Sequence, residues 1–160
     1  MLKKYILVFL ISMVPIVELR GAIPFSQVLG LPLVPSYILA IIGNMLPVPI
    51  IYLFARKVLV WMSKGPSFLG KIGRFFLEKG EKGGRKLQDK AGKGGTFLAL
   101  LLFVGIPLPG TGAWTGTLAA SILKMDFKTS ITACMGGVLL AGFIMSCGSR
   151  IVMMILQLFM

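Results

Sequence analysis

Apolar residues run along this chain in blocks that stop at one kind of punctuation. Tyr5 to Val17 is apolar but short, since a helix rising 1.5 Å per residue needs roughly 20 residues to cross a hydrocarbon core of about 30 Å. Pro15-Ile16-Val17-Glu18-Leu19-Arg20-Gly21-Ala22-Ile23-Pro24 then interrupts the pattern, and Phe25 to Leu33 resumes it up to Pro32 and Pro35. Proline and glycine remove or strain helical hydrogen bonds, so the pattern predicts a half-helix, a non-helical stretch over Val17 to Pro24, and a returning half-helix. Pro35 to Ala55 is long enough to cross, with Gly43, Asn44, Pro47 and Pro49 predicting a kink whose freed carbonyls need partners. The second half repeats the order. Thr96 to Val104 is a short apolar run, and Gly105-Ile106-Pro107-Leu108-Pro109-Gly110-Thr111-Gly112-Ala113-Trp114 breaks it, with Gly105 to Gly112 predicted non-helical. Ala113 to Leu123 returns, Lys124, Asp126 and Lys128 form a polar turn, and Thr129 to Ser149 crosses to Arg150.

Pro15 laid on Pro107, and Arg56 on Arg150, give two units of nearly equal length, 5–55 and 96–150. A basic loop, 56–95, joins them, and an apolar tail, 151–160, follows in the same single membrane domain. If each broken segment enters and leaves on one side, the one crossing per unit inverts the second unit relative to the first. The predicted fold is therefore an all-α integral membrane protein of two inverted repeats, each a broken re-entrant hairpin plus a transmembrane helix. Four full crossings are the alternative. Both arrangements put 56–95 in the cytoplasm of a multi-pass protein of the cell membrane, and they differ over which side carries Lys3 and Lys4 and which Lys124 and Lys128.

Composition supports the membrane reading: 56% hydrophobic residues, 14% charged, and a mean hydropathy of +0.91. The net charge of +12 would suggest nucleic acid in a soluble protein. Here eleven of the seventeen Lys and Arg lie in Arg56 to Gly95, which reads as cytoplasmic charge facing anionic lipid headgroups. Val58 to Met62 and Phe68 to Leu77 read as helices on the membrane surface. The glycines at 80, 83, 84, 92, 94 and 95 predict a poor helix and a hinge. Lys3 and Lys4 before an apolar run imitate a signal peptide, but no small-x-small cleavage site follows. Histidine is absent and the only cysteines, Cys134 and Cys147, lie in one apolar stretch where buried, reduced thiols are expected. No metal set and no cofactor is therefore expected, and no nucleic-acid partner. An intramembrane hydrolase lacks its histidine or aspartate pair, so the chain reads as a non-enzyme.

Glu18 and Arg20 are the candidate centre. Two residues apart, they would diverge on a helix and share a side in an extended strand, and the following Gly21 and Pro24 favour the extended pair. Arg20 offers a planar fork suited to carboxylate or phosphate. Desolvation at membrane depth favours the protonated form of Glu18, while the neighbouring guanidinium favours the charged one. Anion binding at Arg20 would then be coupled to proton uptake at Glu18; the alternative is a structural pair in which Glu18 only neutralises Arg20. Arg150 is a further deep or interfacial cation that could equally snorkel to headgroups. In the second break Thr111, Thr115, the Trp114 indole and amides near Gly110 and Gly112 could form a neutral donor site at a half-helix N-terminus. The same residues could instead be close packing. The structural breaks rest on Pro15, Gly21, Pro24, Gly105, Pro107, Pro109, Gly110 and Gly112.

The run Glu-Leu-Arg-Gly-Ala-Ile-Pro at 18–24, the basic central loop and Gly-Ile-Pro-Leu-Pro-Gly-Thr-Gly-Ala-Trp-Thr-Gly at 105–116 together resemble the small multidrug export protein family over nearly the whole chain. More distantly the architecture is similar to the DedA family of membrane proteins. That second resemblance implies paired re-entrant hairpins and proton-dependent translocation of polyprenyl-phosphate lipids. It places the acid and base of the first hairpin on Glu18 and Arg20, and the arginine of the second unit on Arg150. The chain departs from it by having no acid in the second hairpin. The function read from residues and resemblance is a small transporter, proton-coupled, that moves or flips an anionic amphiphile. Export of cationic drugs, with Glu18 as counter-charge, is the alternative, and a non-transporting scaffold or lipid-binding protein the second. The expected partners are membrane lipids, an amphiphilic substrate and a second copy in a homodimer.

Overall fold

The computed structural model describes residues 2–65, 68–108 and 110–159, and among the described residues the chain is all helical. In order the helices are α1 (Leu2–Met13), α2 (Glu18–Val28), α3 (Leu33–Met45), α4 (Pro47–Ser63), α5 (Phe68–Gly105), α6 (Ala113–Ile122) and α7 (Phe127–Phe159). Helix α2 folds back against α1, and Lys4 Nζ donates to the Leu29 carbonyl at 2.9 Å, which brings the start of α1 beside the end of α2. Likewise α6 turns back along α5, and both pack on α7.

Leu46, between α3 and α4, keeps helical dihedrals (φ −60°, ψ −42°), so Leu33–Ser63 is a single 31-residue span despite Pro47 and Pro49. With Phe127–Val152 it is, among the described residues, one of two spans long and apolar enough to cross a membrane. Only 28% and 33% of their most apolar windows is buried. Val34, Ile38, Ile42, Phe54 and Phe143 point outward instead, which suits a hydrocarbon surround rather than the interior of a soluble core. Between the spans, small side chains allow close approach: Ala40, Ala113, Ala120, Ala133, Cys134 and Ala141 are buried. Tyr37 Oη of α3 donates to Leu139 O of α7 at 3.0 Å, and Ser121 Oγ of α6 donates to Tyr52 O of α4 at 2.8 Å. At the start of α7, Asp126 accepts from the Thr129 amide and hydroxyl at 3.1 Å each, which holds its carboxyl below the ordinary aspartate value.

Three expectations change. The first break falls at Val14–Val17, not Val17–Pro24: Gly21 and Pro24 lie inside α2. A proline in that position removes one intrahelical bond, but the helix persists because Leu19, Ala22, Ile23 and Ser26 are buried against α1, α3 and α7. The glycine-rich segment is also helical, bending only at Gly92 (φ 62°, ψ −174°), a conformation open to glycine alone. The i, i+4 spacing of Glu78 to Lys82 favours the helix there. Finally, only Cys134 is buried; Cys147 is exposed on the outer face of α7.

Candidate functional site where the two breaks meet

A helix end leaves backbone groups without partners: amides at its N-terminus, carbonyls at its C-terminus. At the second break both kinds of end lie together, because α5 stops at Gly105 and α6 starts at Ala113. Gly112, the N-cap of α6, has no side chain with which to cap it. The missing acceptor comes from the first break. Glu18 is 4% exposed and accepts from the Ala113 amide through Oε2 and from the Trp114 amide through Oε1, each at 3.0 Å. This contact also explains the glycine: φ at Gly112 is 150°, and a Cβ there would lie 2.3 Å from Glu18 Oε2.

Arg20 treats the other end. Its Nη1 donates to Leu108 O and Thr111 O at 2.7 Å and to Thr111 Oγ1 at 3.0 Å, while Nη2 donates to Val104 O at 3.0 Å and Ile106 O at 3.1 Å. The carboxylate thus sits at a helix N-terminus and the guanidinium at a helix C-terminus, each favoured by the dipole of the helix it touches. On the first turn of α2 the two side chains are roughly 200° apart, and they diverge to opposite ends of the second break. The extended pair sharing one side is therefore replaced by a reciprocal clasp. The geometry accounts for the Glu-Leu-Arg spacing directly. Backbone strain collects at the same place, with φ of 74° at Ile16 and 51° at Glu18, a left-handed region that costs a non-glycine residue on the order of 1 kcal/mol.

Beside the clasp is a cavity of about 470 Å³. Pro15, Glu18, Arg20, Pro107, Gly110, Thr111, Trp114 and Thr115 line it together with Ile16, Leu108, Leu118 and Met145. Most candidate residues of both breaks are thereby brought to one place, while Gly21, Pro24, Gly105 and Gly112 do not line it. Arg150 lines a separate groove of about 300 Å³ with Tyr37 and Ser146, and Pro109 lies outside the described residues. The neutral donor site expected at the second break is filled from within, since Glu18 holds the Ala113 and Trp114 amides. Thr111 Oγ1 stays inside the break, within 2.9 Å of Ile106 O and Leu108 O, and Thr115 Oγ1 turns to Gly112 O at 3.4 Å. Trp114 Nε1 is buried with no acceptor among the described residues. Sequence reasoning missed the carbonyls of Val104 to Thr111 as the partners of Arg20. It also treated Asn44 as part of a kink, whereas its amide is fully buried without a protein partner. Its signal was present: a lone amide side chain in the middle of an apolar span.

Apolar spans, two broken helices facing each other and an internal charged clasp beside a cavity define the class, a helical membrane protein with an interior polar site. A family model described as putative small multi-drug export protein matches residues 18–144, beginning at Glu18 just after the first break and taking in the second, and the chain belongs to that family. The family's description points to a transporter rather than an enzyme. Searches of curated proteins and of solved structures each found no match.

Proposed function

We propose that this protein is a proton-coupled transporter moving an amphiphile with an anionic head, such as a polyprenyl-phosphate lipid, past the two facing breaks. The observation that carries the reading is the clasp. In it an anion, the Glu18 carboxylate, already occupies the α6 N-terminus with a guanidinium close by. Protonation of Glu18 removes that charge and loosens its hold on the Ala113 and Trp114 amides. A phosphate then competes for those amides and for the Arg20 fork, against acceptors that are neutral carbonyls. Proton uptake and headgroup binding thus exchange for one another at a single place. The apolar residues Ile16, Leu108 and Leu118 along the cavity would accompany the lipid tail.

Two inverted, re-entrant hairpins are the arrangement this reading requires. Helix α1 is roughly 18 Å long and α6 roughly 15 Å, so neither spans a core of about 30 Å, while two such hairpins meeting tip to tip fill it. The contact of Lys4 with Leu29 supports entry and exit of the first hairpin on one face. Proximity of Lys93 to Asp126 supports the opposite face for the second. The basic segment 56–95 then shares the cytoplasmic side with Lys124 and Lys128, leaving Lys3, Lys4 and Arg150 on the other. Cysteines introduced singly at Lys4 and Lys124 should react with an impermeant maleimide from opposite sides of sealed vesicles. Labelling of both from the same side would reject this topology.

Function is tested in proteoliposomes carrying an imposed pH gradient, by following translocation of a polyprenyl phosphate and of a cationic dye in parallel. The reading expects gradient-driven movement of the phosphate lipid that a protonophore abolishes. The family's description favours a second reading, export of a cationic amphiphile with Glu18 as its counter-charge, and dye movement without lipid movement would establish it instead. Movement of neither would leave a scaffold and overturn transport.

A further inference from the structure

A second groove, of about 460 Å³, lies between α4 and the end of α6, away from the clasp. Leu53, Lys57, Val60 and Lys64 line it at spacings of four, three and four residues, which places them on one stripe of α4. Apolar and basic residues alternate along that stripe over roughly 16 Å, with Leu53 deepest in the Leu33–Ser63 span and Lys64 just past its end. Trp61, 77% exposed, stands beside the two lysines, where an indole favours the headgroup level of a bilayer. The floor is fixed: Ser121 Oγ bonds Tyr52 O, and Tyr52 Oη bonds Met125 O. None of the lining residues is acidic.

We infer that this groove is a binding site for one anionic phospholipid, its phosphate between Lys57 and Lys64 over Val60, its glycerol region against Trp61 and an acyl chain running down along Leu53 and Tyr52. Charge complementarity selects an anion, and Leu53, on the membrane side of Lys57 in the apolar span, selects a lipid over a free phosphate. Because α6 runs from this groove to the Glu18 carboxylate, the bound lipid braces the half-helix that the clasp caps.

The full chain, purified in detergent and titrated with phosphatidylglycerol or phosphatidylcholine, should retain one phosphatidylglycerol by native mass spectrometry, with about tenfold or greater preference over phosphatidylcholine. The double variant Lys57→Gln/Lys64→Gln should lose that preference. Lys86→Gln/Lys90→Gln, which removes the same charge from exposed positions of α5, should keep it. Equal loss in both variants would reduce the effect to overall charge and overturn the site, as would undiminished binding in the first. Displacement of the lipid by glycerol phosphate at matched concentration would also overturn it, since the headgroup alone would then suffice.

Discussion

Replacing Arg20 by lysine should lower the stability of this protein by about 2–4 kcal/mol, although the charge is kept. The guanidinium reaches Val104, Ile106, Leu108 and Thr111 through two nitrogens at once. An ammonium on a flexible stem cannot span those carbonyls, and the buried Val104 carbonyl in particular loses its donor at a desolvation cost. Arg20→Ala should do more damage, because the whole C-terminal end of α5 loses its donors. Thermal unfolding of detergent-solubilised parent and variants, monitored by helical circular dichroism, measures the order: parent, then lysine, then alanine. A lysine variant that unfolds with the parent would mean that the carbonyl contacts contribute nothing net. Because loss of structure would itself stop transport, an activity loss in Arg20→Lys is informative about substrate only at a temperature where the variant remains folded.

The sequence revealed the two breaks more readily than their chemistry. The cluster of proline and glycine at 105–112 ends α5, and the second break lies where that pattern put it. The rule misplaced the first break by several residues. Pro24 sits in a helix that burial of Leu19, Ala22 and Ile23 sustains, and the strain falls instead on Ile16 and Glu18, residues with no intrinsic preference for positive φ. Glycine misled in the same way at 80–84, where the chain is helical against its propensity. Glu18 and Arg20 stood out because charge is costly inside an apolar run. Their partners could not be read, since they are backbone groups some 84 to 96 residues away that carry no side-chain signature. A charged pair close in sequence suggests an ion pair or a substrate site. Here it also satisfies the ends of two other helices.

Glu18→Gln should abolish the response of transport to a proton gradient and, unlike a conservative exchange on a surface, also destabilise the protein by about 1–3 kcal/mol. The carboxylate accepts with both oxygens, one from Ala113 and one from Trp114. Glutamine retains one acceptor and turns an NH2 donor toward an amide that is itself a donor, so one buried N–H loses its partner. It also withdraws negative charge from the N-terminus of α6. Glu18→Asp separates the two effects. It keeps the titrating group but is one methylene short of bridging both amides, so it should share the stability loss while preserving gradient dependence. Translocation is followed in proteoliposomes at equal reconstituted protein, with and without a pH gradient, below the unfolding temperature of the weakest variant. A glutamine variant that still accelerates under the gradient would remove Glu18 from proton coupling and leave it a helix cap alone. If the aspartate variant loses gradient dependence while the protein stays folded, coupling requires the two-amide geometry as well as the proton.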